Sequence, residues 1–189
     1  MSHPIRRIET TFAAADRTAL LRRSWSAPDP RRAVVLVHGF GEHSGRYDPM
    51  ADWLARRGCA VHAYDHRGHG RSGGLPNHVR RFDEYVDDLL ELLLLVRGEH
   101  ASVPLALVGH SMGGLVVARA LVKHALSIDC AVLSGPALAP APGLSRGKQW
   151  LARVAGRIAP RLRSASGLPL DGLSRDPEVV SAYEADPLV

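Results

Sequence analysis

The chain is patterned as short, largely apolar runs separated by amphipathic stretches. Ala33–Val37, Cys59–Tyr64, Leu105–Val108 and Ala131–Ser134 read as strands, the first of them continuously apolar and β-branched, as a strand buried on both faces is. The stretches between them have helical spacing. In Arg46–Arg57, the residues Tyr47, Met50, Ala51 and Leu54 share a face, and Gly58 ends the pattern. In Val79–Arg97, the residues Phe82, Tyr85, Val86, Leu89, Leu93 and Val96 recur at the same period. A third helix, Met112–His124, follows the third run at once. Upstream, Glu9–Ala13 and Leu20–Ser26 flank Asp16-Arg17 and predict a hairpin. Strand and helix alternate from residue 33 to about 135, which predicts an α/β fold with a mainly parallel sheet and helices on both faces.

The pattern changes after Gly135-Pro136. Pro136, Pro140 and Pro142 interrupt the chain, and a basic amphipathic stretch follows. Trp150, Leu151, Val154, Ile158 and Leu162 fall on one face, with Lys148, Arg153, Arg157, Arg161 and Arg163 around the rest. This divides the chain into a core, residues 1–136, and a second region, residues 137–189, whose helix is expected to lie as a lid over the C-terminal edge of the sheet. An ordinary surface helix is the alternative.

Composition adds limits. The 189 residues suit one domain of ordinary size, and 46% hydrophobic content is that of a globular chain. The formal charge of +5 comes from 22 Arg and two Lys against 19 acidic residues, but the arginines are scattered as pairs rather than gathered in a stripe. Nucleic acid is therefore not the expected partner. The basic lid face can meet an anionic membrane surface in transient, peripheral contact. No apolar segment follows Arg6-Arg7 as in a secretory signal, and Leu89–Val96 is too short to span a bilayer, so the expected location is cytoplasmic. Cys59 and Cys130 both sit in apolar runs and read as buried free thiols.

The chemistry concentrates where the strands end. Ligands in parallel α/β sheets bind beyond the C-terminal ends of the strands. His38-Gly-Phe-Gly41, Asp65–Gly74 and Gly109-His-Ser-Met-Gly113 all fall there. The last is G-x-S-x-G between a strand and a helix, the setting that exposes a serine oxygen on a sharp turn. Ser111 is therefore the candidate nucleophile, the alternative being a serine that only caps the helix. An acyl-transfer serine also needs two N–H donors for the developing oxyanion. Met112, just after the serine, and Phe40, on the glycine-flanked turn, are the expected donors.

Three stretches in this order, His38-Gly-Phe-Gly-Glu-His-Ser-Gly-Arg-Tyr47, Tyr64-Asp-His-Arg-Gly-His-Gly-Arg-Ser-Gly73 and Gly109-His-Ser-Met-Gly-Gly114, are joined by Leu173-Ser-Arg-Asp-Pro177 and Tyr183-Glu-Ala-Asp-Pro187. Together they resemble the monoacylglycerol lipase and lysophospholipase group of α/β-hydrolases, the serine aminopeptidase-like family, over essentially the whole chain. The resemblance implies the α/β-hydrolase fold with Ser111 as nucleophile and Phe40 and Met112 as oxyanion donors. It implies that Glu42, Arg46 and His110 line the polar end of the pocket near a glycerol-like head group. Phe40 departs from the small residue more usual at its position, which bears on head-group fit. His38, His43, His66 and His69 are implied to shape loops, and neither a metal nor a cofactor is expected.

The remaining triad members are harder to find. In this fold the order is serine, acid, histidine. His124 is the one histidine after Ser111, and thirteen residues of helix put it roughly 20 Å away. His110 shares the turn and cannot easily fold back onto Ser111, and Asp65 matches a structural loop position. The resemblance implies two further strands beyond the lid that carry the acid and the histidine. The expectation is therefore a C-terminally truncated chain lacking the last strands of the sheet and nearly inactive alone, with exposed sheet edges. The expected lineage is a serine carboxylic-ester hydrolase taking a small-molecule lipid ester. Peptidase, thioesterase or small-ester esterase chemistry, or a non-enzymatic remnant or interaction module, are the alternatives.

Overall fold

Six strands form one sheet in the order β1-β2-β4-β3-β5-β6 in a computed structural model that describes residues 4–139, residue 147 and residues 172–189. The strands are β1 (Arg6–Ala13), β2 (Ala19–Ser26), β3 (Arg32–Val37), β4 (Cys59–Tyr64), β5 (Leu105–His110) and β6 (Cys130–Ser134). β1 pairs antiparallel with β2, and β2 with β4. The β4-β3, β3-β5 and β5-β6 pairs are parallel. The alternating pattern predicts this mainly parallel sheet and the family resemblance implies its α/β-hydrolase arrangement, with β3 and β4 central and buried almost throughout.

Helices cover both faces. On one face α2 (Asp83–Glu99) and α3 (Met112–Lys123) bury Leu89, Leu92, Val96, Val116 and Val117 against Val35, Val37, Tyr64 and Leu107. On the other, α1 (Asp48–Ala55) packs Ala51 and Ala55 against Val34, Leu36, Val61 and Trp25. Each large aliphatic side chain removed from water in this way contributes roughly 1.5–3 kcal/mol.

Several element bounds differ from the sequence expectation. The first strand begins at Arg6 rather than Glu9, because the hairpin pairs continuously from Arg6–Ser26 to Ala13–Ala19. The Arg46–Arg57 helix divides into a 3-10 turn, Ser44–Tyr47, and α1, with Pro49 in the first turn, where a missing N–H costs nothing. α2 starts at Asp83, not Val79, with Asp83 and Glu84 favourably placed at its positive end. β5 continues past Val108 to His110, since Gly109 pairs with Val37 of β3 and His110 with Ser134 of β6. α3 closes at Lys123, where His124 turns extended.

Cys59 is buried as expected, but Cys130 is exposed. The correction follows from position: all five residues of β6 are exposed, including Val132 at 53%. An apolar run reads as a strand whether or not both of its faces are covered.

Residues up to Leu138 form one compact unit, and a second begins at Ala139. The described part of the second contains α4 (Pro177–Glu184), which opens with Asp176 accepting from Glu178 N–H at 2.9 Å. The expected lid helix around Trp150–Leu162 lies outside the described residues. Among the described residues, no helix is long and apolar enough to cross a membrane.

Candidate active site

β5 runs straight into Ser111, which sits at φ 50° and ψ −116° before α3 begins at Met112. A positive φ is uncommon for a residue with a side chain, and such conformations cost roughly 1–3 kcal/mol. Hydrogen bonds and close packing hold it. Ser111 N–H donates to Ser134 O at 3.0 Å, while Ser111 O accepts from Leu115 N–H at 3.1 Å and Ala137 N–H at 3.0 Å. The neighbouring glycines leave no room for a methyl group. A Cβ on Gly109 would lie 2.7 Å from Gly113 O, and one on Gly113 would lie 2.2 Å from Val37 O. The turn after β3 lies against the elbow: a Cβ on Gly39 would stand 3.1 Å from Ser111 Cβ.

Phe40 follows Gly39 on that turn, and its side chain is 40% exposed. Met112 is the first residue of α3, so its N–H is among those a helix leaves without an internal partner. Glu42 turns back over the turn, where its Oε1 accepts from Gly39 N–H at 2.5 Å and from Tyr47 OH at 3.1 Å. Arg46 Nε lies 3.8 Å from Glu42 Oε2. His110 directs Nδ1 to Ser134 O at 3.1 Å. Among the described residues no side chain hydrogen bonds to Ser111 Oγ.

Asp65 has a structural task. It is fully buried and accepts from Ser44 N–H at 2.8 Å, Ser44 OH at 2.5 Å and Arg71 N–H at 2.8 Å. Gly70, at φ 51°, is required beside it, because a Cβ there would lie 2.2 Å from Asp65 Oδ2. Behind the turn, His38, His66 and His69 pile against Tyr64 and Tyr85, with His38 and His66 centroids 4.3 Å apart. The sequence places Tyr47 on a helix face and in the first motif but does not show its bond to Glu42, nor does it single out Ser134, whose carbonyl anchors both His110 and Ser111.

Residues 28–189 match the family described as Serine aminopeptidase, S33. The chain belongs to this family. It is 41% identical over 184 residues to a monoacylglycerol lipase of Mycolicibacterium smegmatis, a match covering 97% of this chain and 65% of that protein. It is 34% identical over 177 residues to monoglyceride lipase of Rattus norvegicus, covering 93% of this chain and 58% of that one. The crystal structure of Paleococcus ferrophilus monoacylglycerol lipase matches with a TM-score of 0.78 at 39% identity, covering 90% of this chain and 63% of that chain. The chain thus spans about three-fifths of the length of these relatives.

Away from the elbow of this serine aminopeptidase-family chain, His62, Glu99 and His100 bring potential ligand atoms within 4.8 Å of one another. The guanidinium of Arg22 already stands among them, bonding both Glu99 oxygens and, at 2.8 Å, His62 Nδ1. Burial, reinforced by Arg22, pushes His62 down from 6.5 to about 3. Burial also lowers His38, His66, His69 and His100. The unfolded chain therefore takes up protons below about pH 6.5 that the folded chain refuses. The histidine contribution to stability is full above that pH and is lost progressively as the pH falls toward 3. At pH 5 His62 alone is expected to account for about 2 kcal/mol. Thermal melts at pH 7 and pH 5 check this, and an unchanged midpoint would contradict it.

Proposed function

We propose that the chain carries the nucleophile and oxyanion donors of a serine carboxylic-ester hydrolase acting on monoacylglycerol- or lysophospholipid-like esters. Ser111 Oγ attacks the ester carbonyl carbon, the carbonyl oxygen takes up negative charge between the Phe40 and Met112 N–H groups, and as the adduct collapses the acyl C–O bond breaks and the alcohol leaves with the proton given up by the Ser111 hydroxyl. Water then releases the fatty acid from the acyl-serine. Glu42, Arg46 and His110 are assigned to the polar, alcohol-side end of the pocket. Residues 137–189 are assigned to the lid, whose basic residues touch a membrane surface transiently. No step calls for a metal or cofactor.

The observation that carries this reading is the strained, glycine-packed elbow at Ser111 with the Gly39–Phe40 turn against it. The lipase relatives favour an ester, whereas the family description favours a peptide bond, and the substrate decides between them. Serine without its base loses several orders of magnitude in rate. The 189-residue chain alone is therefore expected to turn over very slowly. The test fuses it to the part of the Mycolicibacterium smegmatis relative beyond the matched span. Monooleoylglycerol and lysophosphatidylcholine should be hydrolysed in a Ser111-dependent way, and leucine p-nitroanilide poorly. Hydrolysis that survives Ser111→Ala, or a preference for the anilide, would overturn the assignment.

A further inference from the structure

Two consecutive peptide units of the turn after β3 are held atom by atom. In the unit joining His38 to Gly39, the oxygen accepts from the His66 ring Nε2 at 3.0 Å and the N–H donates to Glu42 Oε1 at 2.5 Å. In the unit joining Gly39 to Phe40, the oxygen accepts from the His38 ring Nδ1 at 2.7 Å. The fourth polar atom, the Phe40 N–H, has no partner among the described residues. A trans peptide unit is planar and rigid, so its N–H points opposite to its C=O. Whatever holds the Gly39 oxygen therefore also aims the Phe40 N–H.

The partners decide which ring nitrogen carries each proton. The His66 backbone N–H meets His38 Nε2 at 2.9 Å. A backbone N–H can only donate, so Nε2 is bare and the His38 proton sits on Nδ1, facing the Gly39 oxygen. The other tautomer would set N–H against N–H and a lone pair against a carbonyl. By the same reasoning the His66 proton sits on Nε2, facing the His38 carbonyl, and its bare Nδ1 is buried without a partner. Both rings are buried and held neutral by that burial, which excludes the doubly protonated form.

From this geometry we propose that His38 and His66 are positioning residues for the oxyanion donor. The His66 backbone N–H selects the His38 tautomer, and His38 Nδ1–H in turn fixes the Gly39–Phe40 peptide so that the Phe40 N–H is preset on the turn lying against Ser111. The inference rests on the reading of Ser111 as an acyl-transfer nucleophile. A flipped peptide would present a carbonyl oxygen where the donor is needed, so the device guards against one specific failure of the turn.

The test uses the chain itself, with two readouts. Long-range proton–nitrogen NMR of the wild-type rings should show His38 protonated on Nδ1 and His66 on Nε2. A proton on His38 Nε2 overturns the proposal, whether or not any variant folds. The second readout is binding of phenylboronic acid, whose tetrahedral serine adduct places an oxygen where the oxyanion forms. Asparagine carries an N–H near the position of histidine Nδ1, and glutamine near that of Nε2. His38→Asn should keep affinity within about threefold, whereas His38→Gln should lose about 10- to 100-fold, below the full loss of one oxyanion donor. Equal affinities for the two variants overturn the proposal. Wild-type binding that survives Ser111→Ala contradicts the hydrolase reading instead, and the ring tautomers still decide the positioning role.

Discussion

Gly113→Ala is expected to destabilise the chain by about 3 kcal/mol or more, at or beyond the upper end of overpacking effects. The added methyl group would lie 2.2 Å from Val37 O and 2.4 Å from His38 O. Both are backbone atoms of the β3 end, so no side chain can swing away. Relief requires α3 to move off the sheet, which also takes Met112 and Ser111 from the turn they face. For a domain of this size each kcal/mol is worth roughly 2–4 °C, so the melting midpoint should fall by roughly 6–12 °C. Gly98→Ala is the matched control. Nothing lies within 4 Å of its added methyl group, and alanine favours a helix over glycine by roughly 0.5–1 kcal/mol. Thermal melts of both variants check the pair, and a Gly113→Ala midpoint at or above that of the wild type would contradict the packing.

Arg67→Met should cost about 3–5 kcal/mol, the usual result of leaving one member of a buried ion pair alone. Arg67 meets Asp88 with two bonds, Nε to Oδ2 at 2.7 Å and Nη2 to Oδ1 at 2.6 Å, and Asp88 is 1% exposed. Burial already pushes the Asp88 carboxyl up, and Arg67 pulls it back only in part. Without Arg67 the carboxyl rises further, and a raised carboxyl favours the folded state at low pH and loses that benefit as the pH rises through it. The deficit relative to wild type should therefore shrink between pH 7 and pH 5. In the double variant Arg67→Met with Asp88→Leu part of the loss should return, because apolar replacement of a buried pair is often near neutral, while Asp16 and Glu84 still lose their bonds to Arg67. Denaturant melts of the single and double variants make the comparison, and a double variant as unstable as Arg67→Met would contradict it.

What could be read from the sequence depended on how local the cause is. β4 is found at Cys59–Tyr64, the bounds its apolar run predicts, because a strand covered on both faces carries its burial in every residue. The strand–Ser111–helix turn was equally legible, since glycine spacing and the following helix are local features. β5 ran two residues further because pairing with β3 and β6, not propensity, carries Gly109 and His110. α4 went unread although Asp176-Pro177-Glu178 is a sound helix start, with an N-cap, a first-turn proline and an acid. The exposure of Cys130 depends on its strand's place in the sheet. The His38–His66 clamp lay beyond sequence reading altogether, because it joins residues 28 apart through the protonation of two rings.

The proposed role of Ser111, as the nucleophile of a turn built for acyl transfer, can be tested chemically. A fluorophosphonate applied to the chain fused to its relative's C-terminal segment, followed by peptide mass mapping, addresses it directly. One adduct is expected, on the peptide containing Ser111, and it should disappear with Ser111→Ala. An adduct on another residue, or none on a folded fusion, would contradict it.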